Sequence, residues 1–286
     1  MVIKNGSLNS QITKEDFNIT IPHTAFDMNL DAILKGDSVD YKYVLNSNLA
    51  KISSFGNVIP EPLKVDLAYK VDVKDLAVLK PMTGADIRGA LLLNGKVNGS
   101  KEKMIVTGKT DLASSNTTFG VLLKDFAPSN VQAKIVGLKL EKLLYMLKQP
   151  HYADALFDMN IDIANADIKH LQGNITSDIK KGLIDSRFMT KAYKFNSMMP
   201  KTTFSAKTYT KLNENLVDTK VNVVSTLANL DVKQMRFNMK DSSLKSDYIV
   251  KVHNLDKLYF ATDRHLKGSI TANGEFSKAK DLDFTA

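Results

Sequence analysis

The chain has 286 residues, 43% apolar and 8% aromatic, a balance too rich in apolar side chains for wholesale disorder. Its net charge of +8 rests on lysines spread evenly along the chain with only four arginines (Arg88, Arg187, Arg236, Arg264), which argues against a nucleic-acid partner. The absence of cysteine excludes disulfides, thiolate metal sites and a cysteine nucleophile, and there is no apolar run of about 18 residues to cross a membrane as a helix.

The opening Met1-Val-Ile-Lys-Asn turns polar too early for a secretory leader. Apolar residues at period two mark strands with one apolar face. They recur at Phe17-Ile19-Ile21, Phe26-Met28-Leu30 and Val39-Tyr41-Tyr43-Leu45, with Pro22-His23 and Gly36-Asp37 as punctuation. Ile59-Pro-Glu-Pro reads as a stiff connector, after which Leu63, Val65, Leu67, Tyr69, Val71 and Val73 alternate again.

The stretch that follows, LAVLKPMTGADIRGALLLNGKV (76–97), returns as LDKLYFATDRHLKGSITANGEF (255–276). With Leu76 set on Leu255, Leu79 meets Leu258, Gly89 meets Gly268 and Asn94-Gly95 meets Asn273-Gly274 without a gap. A looser copy starts where KLEKL (139–143) mirrors NLDKL (254–258) and resumes as ALFDMNIDI at Ala155, without the glycines. Such self-similarity means that one supersecondary unit is used repeatedly. The Asn-Gly pairs fall inside an apolar alternation, which favours bulges or bends in a strand over hairpin turns.

One amphipathic helix is predicted over Lys139 to Lys148. Leu140, Leu143, Leu144 and Leu147 share a face, and Pro150 stops the helix. So short a segment cannot hold a helix in water, so it must pack on a sheet. Strands resume at Phe157-Met159-Ile161-Ile163, Leu171 to Ile179, Phe204-Ala206-Thr208, Val217 to Val223, Met235-Phe237-Met239 and Tyr248-Val250-Val252. Residues 180–203, with Met198-Met-Pro, read as the least regular stretch.

The chemistry-bearing residues form no recognisable catalytic set. His23, His151, His170, His253 and His265 lie outside metal-ligand spacing of one another. Asp154, Asp158 and Asp162 would line a helix face, but the strand alternation around them turns all three to a solvated sheet face. Gly95-x-x-x-Gly99-Ser100-Lys101 lacks the spacing of a phosphate loop. No enzyme activity, cofactor or metal is therefore expected.

The pattern V-x-V-x-x-L-x-x-L, then L-x-G-x-L-x-x-N-G-x-V, carried by Val71, Val73, Leu76, Leu79, Ile87, Gly89, Leu91, Asn94, Gly95 and Val97 and repeated over 250–276, resembles the AsmA-like family of Gram-negative envelope proteins. The resemblance implies an all-β fold. It would be an elongated, twisted, trough-like antiparallel sheet of repeated units, with the one short helix at about 139–148. A compact two-layer sandwich is the alternative. The whole of 1–286 would be a single repeat-built β region cut from a longer protein, with repeat cores near 63–110, 131–179 and 244–286. The family likeness further implies a periplasmic, non-enzymatic role in lipid binding and transfer between inner and outer membrane. Phospholipid acyl chains would be the partner, and inner-membrane anchoring would lie outside this chain. A structural or partner-binding β module of the envelope is the alternative function. Strand alternation assigns Leu91, Leu93, Val250, Val252, Ile270 and Ala272 to the lipid-bearing wall, an assignment that a bulge at either Asn-Gly pair would invert beyond that point.

Overall fold

The computed structural model describes residues 1–8, 14, 22–278 and 282–285. The strand expected over Phe17, Ile19 and Ile21 lies outside them. The fold is all-β and antiparallel, as the alternation implied, and the chain groups into two compact units. The first comprises Met1–Ser129 and Lys142–Gln149, the second Asn130–Glu141 and Pro150–Ala286.

The first unit is an open meander of β1 (Val2–Leu8), β2 (Thr24–Lys35), β3 (Ser38–Ser47), β4 (Lys51–Ile59), β5 (Lys64–Val73), β6 (Leu91–Ser100), β7 (Met104–Thr110) and β8 (Asn116–Lys124). Each strand pairs with its neighbour in sequence. β4 escapes the alternation rule because Ser54 and Gly56 interrupt its apolar face. The strand ends only at Ile59, so the connector is the turn from Pro60 to Leu63. Between β5 and β6 run a 3-10 turn, Leu76–Leu79, and a helical turn, α1 (Lys80–Thr83).

The second unit is built the same way. It comprises β9 (Ala127–Lys139, its first residues grouping with the first unit), β10 (Ala153–Asn165), β11 (Gln172–Ile184), β12 (Thr203–Asn213), β13 (Leu216–Ser225), β14 (Ala228–Asn238), β15 (Ser243–Val252), β16 (Ile270–Lys278) and β17 (Leu282–Thr285). The expected helix is present as α2 (Leu140–Met146), following β9. A second helix of equal length, α3 (Ser186–Ala192), occupies the stretch that the sequence left irregular. Its helical face carries too few apolar residues to show periodicity. The legible signal was Asp185, whose carboxylate caps the amides of Arg187 and Phe188.

The internal repeat is structural as well as sequential. With Leu76 again set on Leu255, β15 matches β5 residue for residue, and the 3-10 turn Leu255–Leu258 and helical turn α4 (Tyr259–Thr262) match their counterparts after β5. Asp75 and Asn254 both cap the turn with a side-chain oxygen. The amides of Leu76 and Leu255 both donate to a glycine carbonyl, Gly89 and Gly268, at 2.7 and 3.0 Å. Both glycines adopt positive φ, +104° and +98°, a backbone conformation that excludes most other residues.

In an antiparallel meander every second connection lies at the same end. Among the described residues the helical connections of each unit share that end, apart from the single turn Ile168–His170 at the other. Most of the buried apolar residues gather there too, although Met104 lies at the opposite end. In the first unit they include Val73, Ala113, Leu144 and Met146, and in the second Leu138, Ala153, Ala155, Met199, Val252 and Phe260. Helix α2 closes its end of the first unit through the Met146 side chain beside Gly89 and a hydrogen bond from the Arg88 amide to the Met146 carbonyl. The Arg88 guanidinium also donates to the Tyr145 carbonyl (2.6 Å) and lies over the Tyr145 ring. Leu147, expected on the buried stripe, is 43% exposed, because the helix ends at Met146 and the chain turns.

Candidate functional site: an uncovered apolar sheet face

Directly opposed residues in antiparallel strands point to one face. From β2 to β8 the register never shifts, so whole rows can be followed across the first unit. One row reads Met28, Leu45, Ile52, Val71, Leu93, Thr110, and another on the same side reads Ala32, Tyr41, Gly56, Leu67, Val97, Val106, Val121. The rows between them on the other side carry Asp31, Lys42, Phe55, Ala68, Lys96 and Asn29, Val44, Ser53, Lys70, Asn94, Lys109. One face is thus apolar or small, and the other is mostly polar, interrupted by Ile33, Val44, Phe55, Ile59, Ala68, Leu92, Ile105 and Leu122.

The same separation holds in the second unit. Leu138, Phe157, Ile179, Ala206, Val223, Leu230, Val250 and Ala272 form one row through directly opposed pairs. Here the register does shift, between Asp154 and Leu156, Phe157 and Met159, Ile163 and Asn165, Ile179 and Gly182, Thr219 and Val221, and Asp231 and Met235. At the shift after Phe157 the Gly137 amide donates to Asp158 Oδ1 at 2.7 Å.

The bulges expected at the Asn-Gly pairs are absent. Lys70 faces Asn94 and Tyr69 faces Gly95 in unbroken register, and Ile249 and Tyr248 face Asn273 and Gly274 likewise. Gly95 serves close approach instead. A Cβ there would stand 1.9 Å from the Thr107 carbonyl oxygen and 2.7 Å from the Tyr69 hydroxyl. Tyr69 lies down over Gly95 and donates its hydroxyl hydrogen to that same carbonyl at 3.0 Å. Phe119 lies over Gly108 in the same row. Both rings therefore lie flat, and the floor of the apolar face stays low. Sequence reasoning missed this device, although the Tyr69–Gly95 pair recurs in the second copy of the repeat as Tyr248–Gly274. Gly95→Ala is expected to cost about 1–3 kcal/mol, read from the midpoint of urea unfolding, because the obstructing atom is backbone and cannot turn away.

Leu91 and Leu93 lie on the apolar face of the first unit, opposite Val73 and Val71. Val250, Val252, Ala272 and Ile270 form a patch on the apolar face of the second, Val250 opposite Ala272 and Val252 opposite Ile270. The six residues therefore divide into two sets, and they differ in cover. Val252 is 7% exposed, as the last residue of its strand before the helical connection, whereas Ile270 is 50% exposed and Leu91, Leu93 and Val250 are half-buried. Leu92 lies on the opposite face, across from Asp72.

The polar faces are held wet by ion pairs. Lys180 bridges Asp158 and Asp178 at 2.9 and 3.3 Å, and Arg236 meets Asp218 at 2.8 Å. The Gly137 amide and then Lys180 hold the Asp158 carboxyl below its usual range, and Arg236 does the same for Asp218. These carboxylates stay ionised at neutral pH, which opposes burial of that face. Asp154 is separated from Asp158 and Asp162 by a register shift and meets His151 at 2.6 Å, raising the imidazole pKa. The depressions on the surface are open, for example that rimmed by Lys207, Tyr209, Lys220 and Asp231. Among the described residues no group of His, Cys, Asp or Glu is arranged to hold a metal ion, and no helix is long and apolar enough to cross a membrane. No family model, curated protein or solved structure matches the chain.

Proposed function

We propose that this chain is a non-enzymatic lipid-binding segment whose apolar sheet faces carry the acyl chains of phospholipid, in the manner of the periplasmic AsmA-like proteins that its repeat resembles. One observation carries the reading. The face running through Met28, Leu45, Ile52, Val71 and Leu93 has a charged reverse side and unbroken register, yet these five side chains remain only half-buried. A sandwich would bury them under a second layer. Each acyl CH₂ taken from water contributes about 0.8 kcal/mol, so a long apolar face can retain a lipid without any catalytic group, the head group staying in solvent.

The test is an organic extract of the purified chain read by mass spectrometry, followed by titration with a fluorescent-acyl phospholipid. Copurified phospholipid that the labelled lipid displaces is the expected result. Protein that arrives empty and takes up no labelled lipid overturns the proposal and favours the partner-binding module, in which another protein covers the face.

A further inference from the structure

The connection between β11 and β12 runs from Asp185 to Thr202, where that between β13 and β14 needs only Thr226 and Leu227. It is tightly tied. The Thr190 hydroxyl donates to the Ser186 carbonyl at 2.6 Å and accepts the Met199 amide at 2.9 Å. The Ser186 hydroxyl donates to the Pro200 carbonyl at 3.1 Å. Phe195 packs edge-on against Phe260 of α4 with centroids 4.8 Å apart, and Met199 is buried. Between these anchors Tyr193 and Met198 stand 64% and 59% exposed. Tyr193 stacks on Phe195 with centroids 5.8 Å apart and the Met198 sulfur lies 3.5 Å from the Thr190 hydroxyl, yet each leaves apolar surface in water, which forgoes about 25 cal/mol for each Å².

Four exposed cations share the segment with them: Arg187, Lys191, Lys194 and Lys201. The single acid of the segment, Asp185, is engaged in capping α3. This stretch therefore carries +3 of the chain's net +8. Among the described residues none of the four cations is ion-paired.

We infer that the 185–202 loop docks the second unit on an anionic lipid surface. Tyr193 and Met198 enter the headgroup region while the four cations face lipid phosphates. Met198 decides between this surface and a nucleic acid. A bilayer boundary rewards an inserted thioether, whereas a strand of bases needs successive aromatic platforms, and here Phe195 is committed to Phe260. The inference goes beyond acyl-chain binding, since an apolar face can hold lipid on a protein that never touches a bilayer.

The experiment is flotation with vesicles of phosphatidylglycerol mixed with phosphatidylcholine, against vesicles of phosphatidylcholine alone. The chain is expected to float with the anionic vesicles only. Replacing Lys191, Lys194 and Lys201 together by serine should lower partitioning about 100-fold, from about fivefold for each basic residue near the surface. Tyr193→Ser with Met198→Ser should lower it about tenfold through lost apolar insertion. Because the chain lacks cysteine, Met198→Cys can carry a single environment-sensitive fluorophore, whose emission should shift to the blue on anionic vesicles. Wild-type protein that fails to float, or a label that stays water-exposed on bound vesicles, overturns the inference. So does binding that the apolar double variant leaves unchanged while heparin removes it, which would mark simple polyanion adsorption. Copurified lipid is measured separately, so failure of docking is distinguishable from failure of acyl-chain binding.

Discussion

Leu144→Asp is expected to unfold the helical end of the first unit, lowering stability by about 4 kcal/mol or more. Leu144 is 3% exposed on α2. Truncating such a side chain costs about 2–5 kcal/mol, and a buried carboxylate without a partner adds several more or pushes the helix off. The contacts that α2 makes through Met146 and Arg88 would be lost with it. Leu147→Asp is the control. Its side chain is 43% exposed beyond the helix end, so the change should stay within about 0.5 kcal/mol. Urea unfolding followed by circular dichroism measures both, and equal midpoints for the two variants would show that α2 does not close the sheet end.

Leu93→Glu is expected to leave the chain folded, with less than about 1 kcal/mol lost, while depleting bound phospholipid. Its side chain stands only half-buried on the apolar face, so the new carboxylate can reach water and spoil the wall for acyl chains without being trapped. Leu92→Glu, across from Asp72 on the reverse side, should retain both fold and lipid. Val252→Glu should instead unfold the chain end that it supports, because at 7% exposure its carboxylate has no route to solvent. Melting temperature and extracted lipid are read on the same samples. Lipid lost from Leu92→Glu and kept by Leu93→Glu would place the ligand on the polar face.

Much of this was legible in the sequence, because strand faces obey a local rule. Alternation at period two put Leu91, Leu93, Val250 and Ala272 on apolar faces. The gapless match of 76–97 to 255–276 announced a repeated strand–turn–strand unit, which the backbone reproduces down to the positive φ of Gly89 and Gly268. The Leu-rich run of α2 likewise showed its period unaided. What the sequence could not supply depends on contacts between distant residues. β4 was hidden because Ser54 and Gly56 take their place on the apolar face only through their cross-strand partners. Gly95 looked like a bulge and proved to be the bed of Tyr69, which reaches it from β5 across the strand pair. Burial was decided by tertiary structure alone: Val73 and Val252 are covered because they end their strands on the side of the meander where the longer helical connections gather, while Leu93 and Val250, with the same alternation and the same chemistry, remain only half-buried.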